Sequence, residues 1–304
     1  MRIIVNGQQA FGKAVLEALL NRGENVVGVY CAPDKEGKKI DALKEFALAK
    51  GLPVFQPKSF KDPATWEQIR SLQSDLGVMA YVTIFVPEEA LHIPTHGTIQ
   101  YHPSLLPWHK GPSSINWPII FGEKKTGLSI FWPDNGLDTG PILLQKEVPI
   151  SDKDTLGSVY FDKLFPLGVQ AMLEAIDLVK AKKAPRIPQD PNAGSYEGWC
   201  RKEDAEINWK KPYKDVYNLI RGTNPQPGAW TTHKGKTLEI YDCAKLARAG
   251  GKPGHITSVS AKGVVVAAKG GQIQILRVRP EGGPKIPAAE FAEQAGLKKG
   301  DRLG

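Results

Sequence analysis

Through the first half of the chain the hydrophobic positions alternate between a strand-like and a helix-like spacing. Arg2–Val5 is a short apolar run closed by Asn6-Gly7, and Gly12–Asn21 then carries Val15, Leu16, Leu19 and Leu20 on one helical face. Asn25–Tyr30 predicts a second strand, Asp41–Lys50 a helix, Leu52–Phe55 a third short strand, Trp66–Leu72 a helix and Leu76–Tyr81 a buried strand. Thr98–Tyr101 is strand-like again. Thr126–Trp132 alternates as a half-buried strand, Ile142–Val148 reads as its neighbour, and Asp154–Lys183 predicts one long amphipathic helix. Strands alternating with helices imply an α/β domain with a mostly parallel sheet covered on both faces. The pattern changes at Ala184–Ala193, where Pro185, Pro188 and Pro191 read as a linker. Beyond it a helix at Tyr213–Arg221 precedes short β-rich runs at Ala229–His233, Leu238–Tyr241, Gly263–Ala268 and Gln272–Val278. These suggest a small C-terminal β-barrel. The expected division is therefore 1–183, a linker over 184–203, and 204–304.

Composition agrees with two globular domains: 304 residues, 41% hydrophobic and 24% charged. The three cysteines (Cys31, Cys200 and Cys243) are too scattered for a disulfide framework, which fits a reducing compartment. The N-terminal segment does not read as a secretory signal. No apolar run approaches the roughly 20 residues of a membrane span. The expectation is a soluble, cytoplasmic protein without a membrane partner. The formal charge of +8 is uneven: from Arg201 onward there are 19 Lys/Arg against 10 Asp/Glu, and before it 21 against 22. A polyanion such as RNA could account for that excess. The lysines are scattered rather than clustered, so a solubilising surface is the simpler account.

The chemistry concentrates at predicted strand ends, where α/β sheets bind ligands. The run from Gly7 to Gly12 joins the first strand to the first helix. It lacks the GxGxxG spacing of a dinucleotide site, and a tight turn and a close ligand approach both account for its glycines. More informative is Gln100-Tyr101-His102-Pro103-Ser104-Leu105-Leu106-Pro107, which places a histidine just past a strand, held by prolines. Asp138, between Gly136 and Gly140, follows another strand and is expected at the same sheet edge. A carboxylate beside a histidine fixes its tautomer. Gln100, two residues before His102, shares its face of the strand. Amide, imidazole and carboxylate together suit acyl transfer, as oxyanion donor, proton shuttle and orienting base. Of the six histidines only His92 and His96 stand four apart, with Pro94 between them and no further histidine or cysteine beside them, so no metal site is expected.

The run HPSLLPWHKGPSSINW, followed by TGLSIFWPDNGLDTGPILLQ, resembles the folate-dependent formyltransferase superfamily. Further stretches, APDKEGK, APRIPQD and INWKKPYKDVYNLIRGTNPQPGAW, extend the resemblance over nearly the whole chain, toward the hydrolase domain of 10-formyltetrahydrofolate dehydrogenases. The resemblance implies a Rossmann-like catalytic domain followed by an OB-like β-barrel similar to the C-terminal domain of methionyl-tRNA formyltransferases. It implies 10-formyltetrahydrofolate as formyl donor and tetrahydrofolate as product, with His102 as catalytic acid/base and Asp138 essential. It further implies that Ile84, Phe85 and Val86 line the folate pocket, although from the residues alone they read as core.

Two departures bear on function. The formyltransferases carry asparagine where this chain has Gln100, and the dehydrogenase hydrolase domain carries isoleucine, so the oxyanion role passes to a longer amide. These 304 residues show no phosphopantetheine site and no nicotinamide-binding domain, and as a natural full-length chain they could not oxidise the formyl group. The expectation is therefore transfer of formyl to water or a small amine, not its oxidation. Two alternatives stay open at this point. Formylation of initiator tRNA would suit the basic C-terminal part, but Pro33–Val54 lacks the basic insert of the tRNA formyltransferases. An inactive folate-binding protein would not need both His102 and Asp138.

Overall fold

The computed structural model describes all 304 residues, and their contacts group into two compact units. The first comprises Met1–Gly111, Gly127–Val148 and Lys163–Tyr196; the second comprises Pro112–Thr126, Pro149–Asp162 and Glu197–Gly304. No helix is long and apolar enough to cross a membrane.

Seven strands form the sheet of the first unit: β1 (Arg2–Gly7), β2 (Asn25–Tyr30), β3 (Val54–Phe55), β4 (Leu76–Ala80), β5 (Thr98–His102), β6 (Lys125–Phe131) and β7 (Ile142–Pro149), in the order β3-β2-β1-β4-β5-β6-β7. The first five run parallel, and β6 runs antiparallel to β5. The central strand β4, Leu-Gly-Val-Met-Ala, is buried at every residue, as a strand covered on both faces must be. Crossovers are made by α1 (Gln9–Asn21), α2 (Ala42–Ala49), α3 (Pro63–Ser71) and α4 (Glu88–Leu91). Two start at aspartate caps: Asp41 accepts from the Leu43 N–H and Asp62 from the Ala64 N–H, each meeting a donor that the first helical turn leaves unpaired.

The β1–α1 turn is built for packing. A Cβ on Gly7 would stand 2.4 Å from the Ala80 carbonyl oxygen, and one on Gly12 would stand 3.2 Å from Leu43 Cδ2. Close approach of the turn to β4 and α2 thus accounts for both glycines.

The single long helix expected over Asp154–Lys183 is interrupted. The chain forms α5 (Asn116–Ile120) before β6, a one-turn α6 (Leu156–Ser158) after β7, then a π-helical turn over Val159–Leu164, then α7 (Phe165–Lys180). The physical reason lies in Thr155 and Pro166. Thr155 and Ser158 close a capping box that starts a helix late. Pro166 has no N–H to give the Asp162 carbonyl, so the regular ladder fails there and the turn widens.

In the second unit an antiparallel sheet runs β10-β11-β12-β9-β8, from β8 (Ala229–His233), β9 (Lys236–Leu246), β10 (Ile256–Ser260), β11 (Gly263–Ala268) and β12 (Gly271–Pro280), with β13 (Ile286–Pro287) beside β12. Its apolar face, including Ile240, Val264, Val266, Ile273 and Ile275, packs with α8 (Tyr213–Gly222) and α9 (Ala288–Ala295). Residues 300–304 bond to both ends of this sheet. The Ile256 N–H donates to the Asp301 carbonyl and the Gly304 N–H to that of Thr232, at 2.8 and 2.9 Å. One segment thus covers the edges of β10 and β8, which gives the sheet its barrel-like closure.

Candidate active site

His102 is the last residue of β5. Its neighbour Tyr101 packs on Phe11, ring centroids 4.3 Å apart, so strand alternation turns Gln100 and His102 toward the opposite face. The side chains of His102 and Asp138 are both buried, each 7% exposed. His102 Nδ1 and Asp138 Oδ2 face each other at 3.6 Å. The other ring nitrogen, Nε2, lies 2.9 Å from the His109 carbonyl oxygen. A carbonyl only accepts, so Nε2 carries the hydrogen and the neutral ring turns its Nδ1 lone pair toward the carboxylate. A proton at Nδ1 would satisfy both groups. The pair is therefore arranged to stabilise a proton arriving from a third group.

Asp138 reaches this position by a route that differs from the one expected. β6 is antiparallel to β5, pairing Gln100 with Phe131 and His102 with Ser129. The carboxyl end of β6 therefore does not lie beside that of β5, and the connection from Trp132 to Pro141 must double back to bring Asp138 to His102. Asp138 sits at φ +57°, a left-handed conformation that aspartate tolerates better than most residues. Its Oδ2 accepts the Gly111 N–H at 2.9 Å. The Gln189 amide nitrogen donates to the carbonyls of Asp138 and Gly140, at 2.9 and 2.7 Å. Within the loop, Thr139 Oγ1 and the Gly136 N–H both donate to Asp134 Oδ1.

Beneath the loop after His102 lies a polar network with no signature in the sequence. Ser129 Oγ donates to the Ser104 carbonyl at 2.7 Å and accepts from the Leu106 N–H at 3.1 Å and from Gln145 Nε2 at 2.9 Å. Gln145 Nε2 also donates to the Leu106 carbonyl. Burying these groups without partners would cost more than the bonds contribute, so the network fixes one loop conformation. The only hint is a serine inside the apolar strand Gly127-Leu128-Ser129-Ile130-Phe131.

The remaining residues singled out from sequence are placed less uniformly. Gln100 is half-buried, and its amide makes no hydrogen bond within the chain. Ile84 and Val86 pack with Tyr30, Phe60 and Met79, as their apolar character alone would suggest. Phe85 between them is 49% exposed, with the Lys61 ammonium 5.4 Å from its ring centroid. This segment is tied to the Asp138 loop, since Asn135 Oδ1 accepts from the Glu88 N–H at 3.1 Å. The cysteines offer no nucleophile: burial pushes the Cys31 thiol up to about 11 and that of Cys200 up to about 12, and raises Cys243 as well.

The chain resembles known proteins over nearly its whole length. Residues 1–176 match the family model described as formyl transferase, and residues 200–296 the one described as formyl transferase, C-terminal domain. The chain is 40% identical over 310 residues to the mitochondrial 10-formyltetrahydrofolate dehydrogenase of Mus musculus, covering 96% of this chain and 33% of that protein. It thus spans about a third of the length of such dehydrogenases. It is 36% identical over 308 residues to the methionyl-tRNA formyltransferase of Syntrophus aciditrophicus (strain SB), covering 99% of this chain and 98% of that enzyme. Among solved structures, the N-formyltransferase from Helicobacter canadensis in complex with folinic acid and dTDP-3-aminofucose has a TM-score of 0.70 at 19% identity, covering 90% of this chain and 98% of that one. HypX from Aquifex aeolicus in complex with tetrahydrofolic acid has a TM-score of 0.69 at 18% identity, covering 100% of this chain and 50% of that one. At such identities the likeness is one of fold.

Proposed function

The chain belongs to the formyl transferase family, and from that premise we propose that it transfers the formyl group of 10-formyltetrahydrofolate to water or a small amine, releasing tetrahydrofolate. The observation that carries this reading is the buried His102–Asp138 pair, with Nε2–H committed to the His109 carbonyl and Nδ1 opposite a carboxylate. The formyl carbon is that of an activated amide. The nucleophile attacks it, and the carbonyl electrons move to oxygen. The nucleophile's proton passes to His102 Nδ1, where Asp138 stabilises the imidazolium. As the C–N bond breaks, that proton goes to N10 of the leaving tetrahydrofolate, giving formic acid with water, which ionises to formate and a proton, or a formamide with an amine. Gln100, with its amide unengaged, donates to the oxyanion. Phe85 and the backbone of Ile84–Val86 form one wall of the folate site, contributing shape rather than charge. The test is to incubate the protein with 10-formyltetrahydrofolate alone, then with candidate amines, and to follow tetrahydrofolate.

Gln100 governs the choice of acceptor in this account. Removing one oxyanion donor elsewhere costs about 10²–10³-fold. Yet the dehydrogenase hydrolase domain that this chain resembles has an isoleucine at this place, with no donor. Gln100→Ile is expected to slow transfer to an amine more than hydrolysis, and Gln100→Asn to retain transfer. Both rates are measured in both variants. Equal hundredfold losses would make Gln100 a plain oxyanion donor, and no change in either would turn its side chain away from the site.

A second reading, formylation of initiator tRNA, is favoured by the match over nearly the full length of a methionyl-tRNA formyltransferase and by the basic excess after Arg201. The missing basic insert in Pro33–Val54 and the scatter of the lysines favour the small acceptor. Initiator tRNA is therefore expected to bind weakly, with an affinity that falls steeply as salt rises. Titration of the tRNA in physiological salt and assay of its methionine for formyl checks this. Sub-micromolar binding with formylation would establish the tRNA reading instead.

A further inference from the structure

The proline-rich stretch after α7, read from sequence as a linker, makes directed bonds to both loops that carry the site. Ile187 exchanges backbone hydrogen bonds with Ile142, at 2.8 and 3.0 Å, just past the Asp138 loop. Two residues on, the Gln189 amide nitrogen holds the carbonyls of Asp138 and Gly140. At the far end Ser195 is bonded three times to the loop after β5. Its N–H donates to the Pro107 carbonyl at 3.2 Å, and its carbonyl accepts from the Lys110 N–H at 3.0 Å. Its hydroxyl accepts from the His109 N–H at 3.0 Å. Gly194 permits this approach: its φ is +99°, and a Cβ there would stand 2.1 Å from the Pro107 oxygen.

These bonds converge on the atoms that hold the catalytic pair. His109, fixed through its N–H by Ser195, gives its carbonyl to His102 Nε2–H. Gly111, next to the tethered Lys110, gives its N–H to Asp138. Asp138 keeps its left-handed backbone with its own carbonyl bound to Gln189. We infer that residues 185–196 form a strap across the two loops, and that Gln189 and Ser195 are positioning residues that set the tautomer of His102 and its separation from Asp138. The inference deepens the formyl-transfer reading and rests on it. Glutamine suits its place because one amide nitrogen supplies two hydrogens for two carbonyls. A glutamate has nearly the same shape, but its ionised carboxylate accepts only.

The test compares Gln189→Glu, Ser195→Ala and Ser195→Thr in the full chain. For each, kcat, KM for 10-formyltetrahydrofolate, folate affinity and melting temperature are measured, and the His102 ring nitrogens are observed by NMR. A small misplacement of reacting groups costs up to about 10²-fold, so Gln189→Glu and Ser195→Ala are expected to lower kcat by about 10- to 100-fold with KM and folate affinity nearly unchanged. Ser195→Thr, which keeps the hydroxyl, should retain most of the turnover. The Nε2–H tautomer should dominate in the wild type and Ser195→Thr, and give way to a mixture in Ser195→Ala. Losses of kcat that merely follow melting temperature or folate affinity, or unchanged kcat and ring signals, overturn the strap. If the wild type releases no tetrahydrofolate with any acceptor, the functional reading fails separately. The NMR comparison then still decides the strap.

Discussion

Replacing His102 by alanine is expected to reduce formyl release by about 10²–10⁴-fold, the usual contribution of a general acid–base group, while folate binding stays nearly intact. The selectivity follows from the geometry. The imidazole is buried at the end of β5, bonded to the His109 carbonyl and facing Asp138, whereas the segment proposed for folate contact lies on a separate loop after β4. Loss of the ring removes the acceptor of the nucleophile's proton but leaves Phe85 and its neighbours in place. Steady-state release of tetrahydrofolate and equilibrium folate binding, measured on one preparation, separate the two effects. An alanine variant with near wild-type turnover would remove His102 from the chemistry.

Asp138→Asn should be as severe, although the change is nearly isosteric. Asparagine tolerates the left-handed backbone that Asp138 adopts at φ +57°, and its side-chain oxygen can still accept the Gly111 N–H. The fold therefore has little reason to respond. What disappears is the negative charge opposite His102 Nδ1, and with it the stabilisation of the imidazolium. The corresponding acid-to-amide change in a protease triad costs about 10⁴-fold, and a loss of about 10²–10⁴-fold is expected here. The check is the rate of formyl release beside the melting temperature. A variant that is stable and still active would reduce Asp138 to a turn residue between Gly136 and Gly140.

The parts of this molecule that are legible in the sequence are those where local pattern and environment coincide. The central strands are continuous apolar runs because the sheet is covered on both faces, and their limits fall within a residue or two of expectation. His102 could be found because it closes the strand-like stretch that begins at Thr98 and is followed by Pro103 and Pro107. Asp138 could be found as an acid set between glycines, but its route could not. β6 is buried on both faces like its parallel neighbours, so nothing in its composition marks it as antiparallel, and its reversal and the doubling back of the next loop were hidden. Bonds between residues far apart in the chain were hidden for the same reason. Ser129 and Gln145 look like ordinary polar residues of half-buried strands, and Gln189 and Ser195 look like parts of a connecting segment. In each, what sets the residue apart is a set of hydrogen-bond partners that only folding supplies. The break before α7 marks the limit of periodicity, since the apolar spacing continues through the π-helical turn while Pro166 interrupts the backbone ladder beneath it.

The most direct test of the account is tetrahydrofolate release from 10-formyltetrahydrofolate by four proteins side by side: wild type, His102→Ala, Asp138→Asn and the double variant. Groups that act as one catalytic unit are strongly non-additive. The wild type is expected to release tetrahydrofolate, each single change to remove most of that activity, and the double variant to be no slower than the worse single one. A wild type that releases no tetrahydrofolate with water or any amine, or losses that multiply in the double variant as for two independent residues, would contradict this expectation.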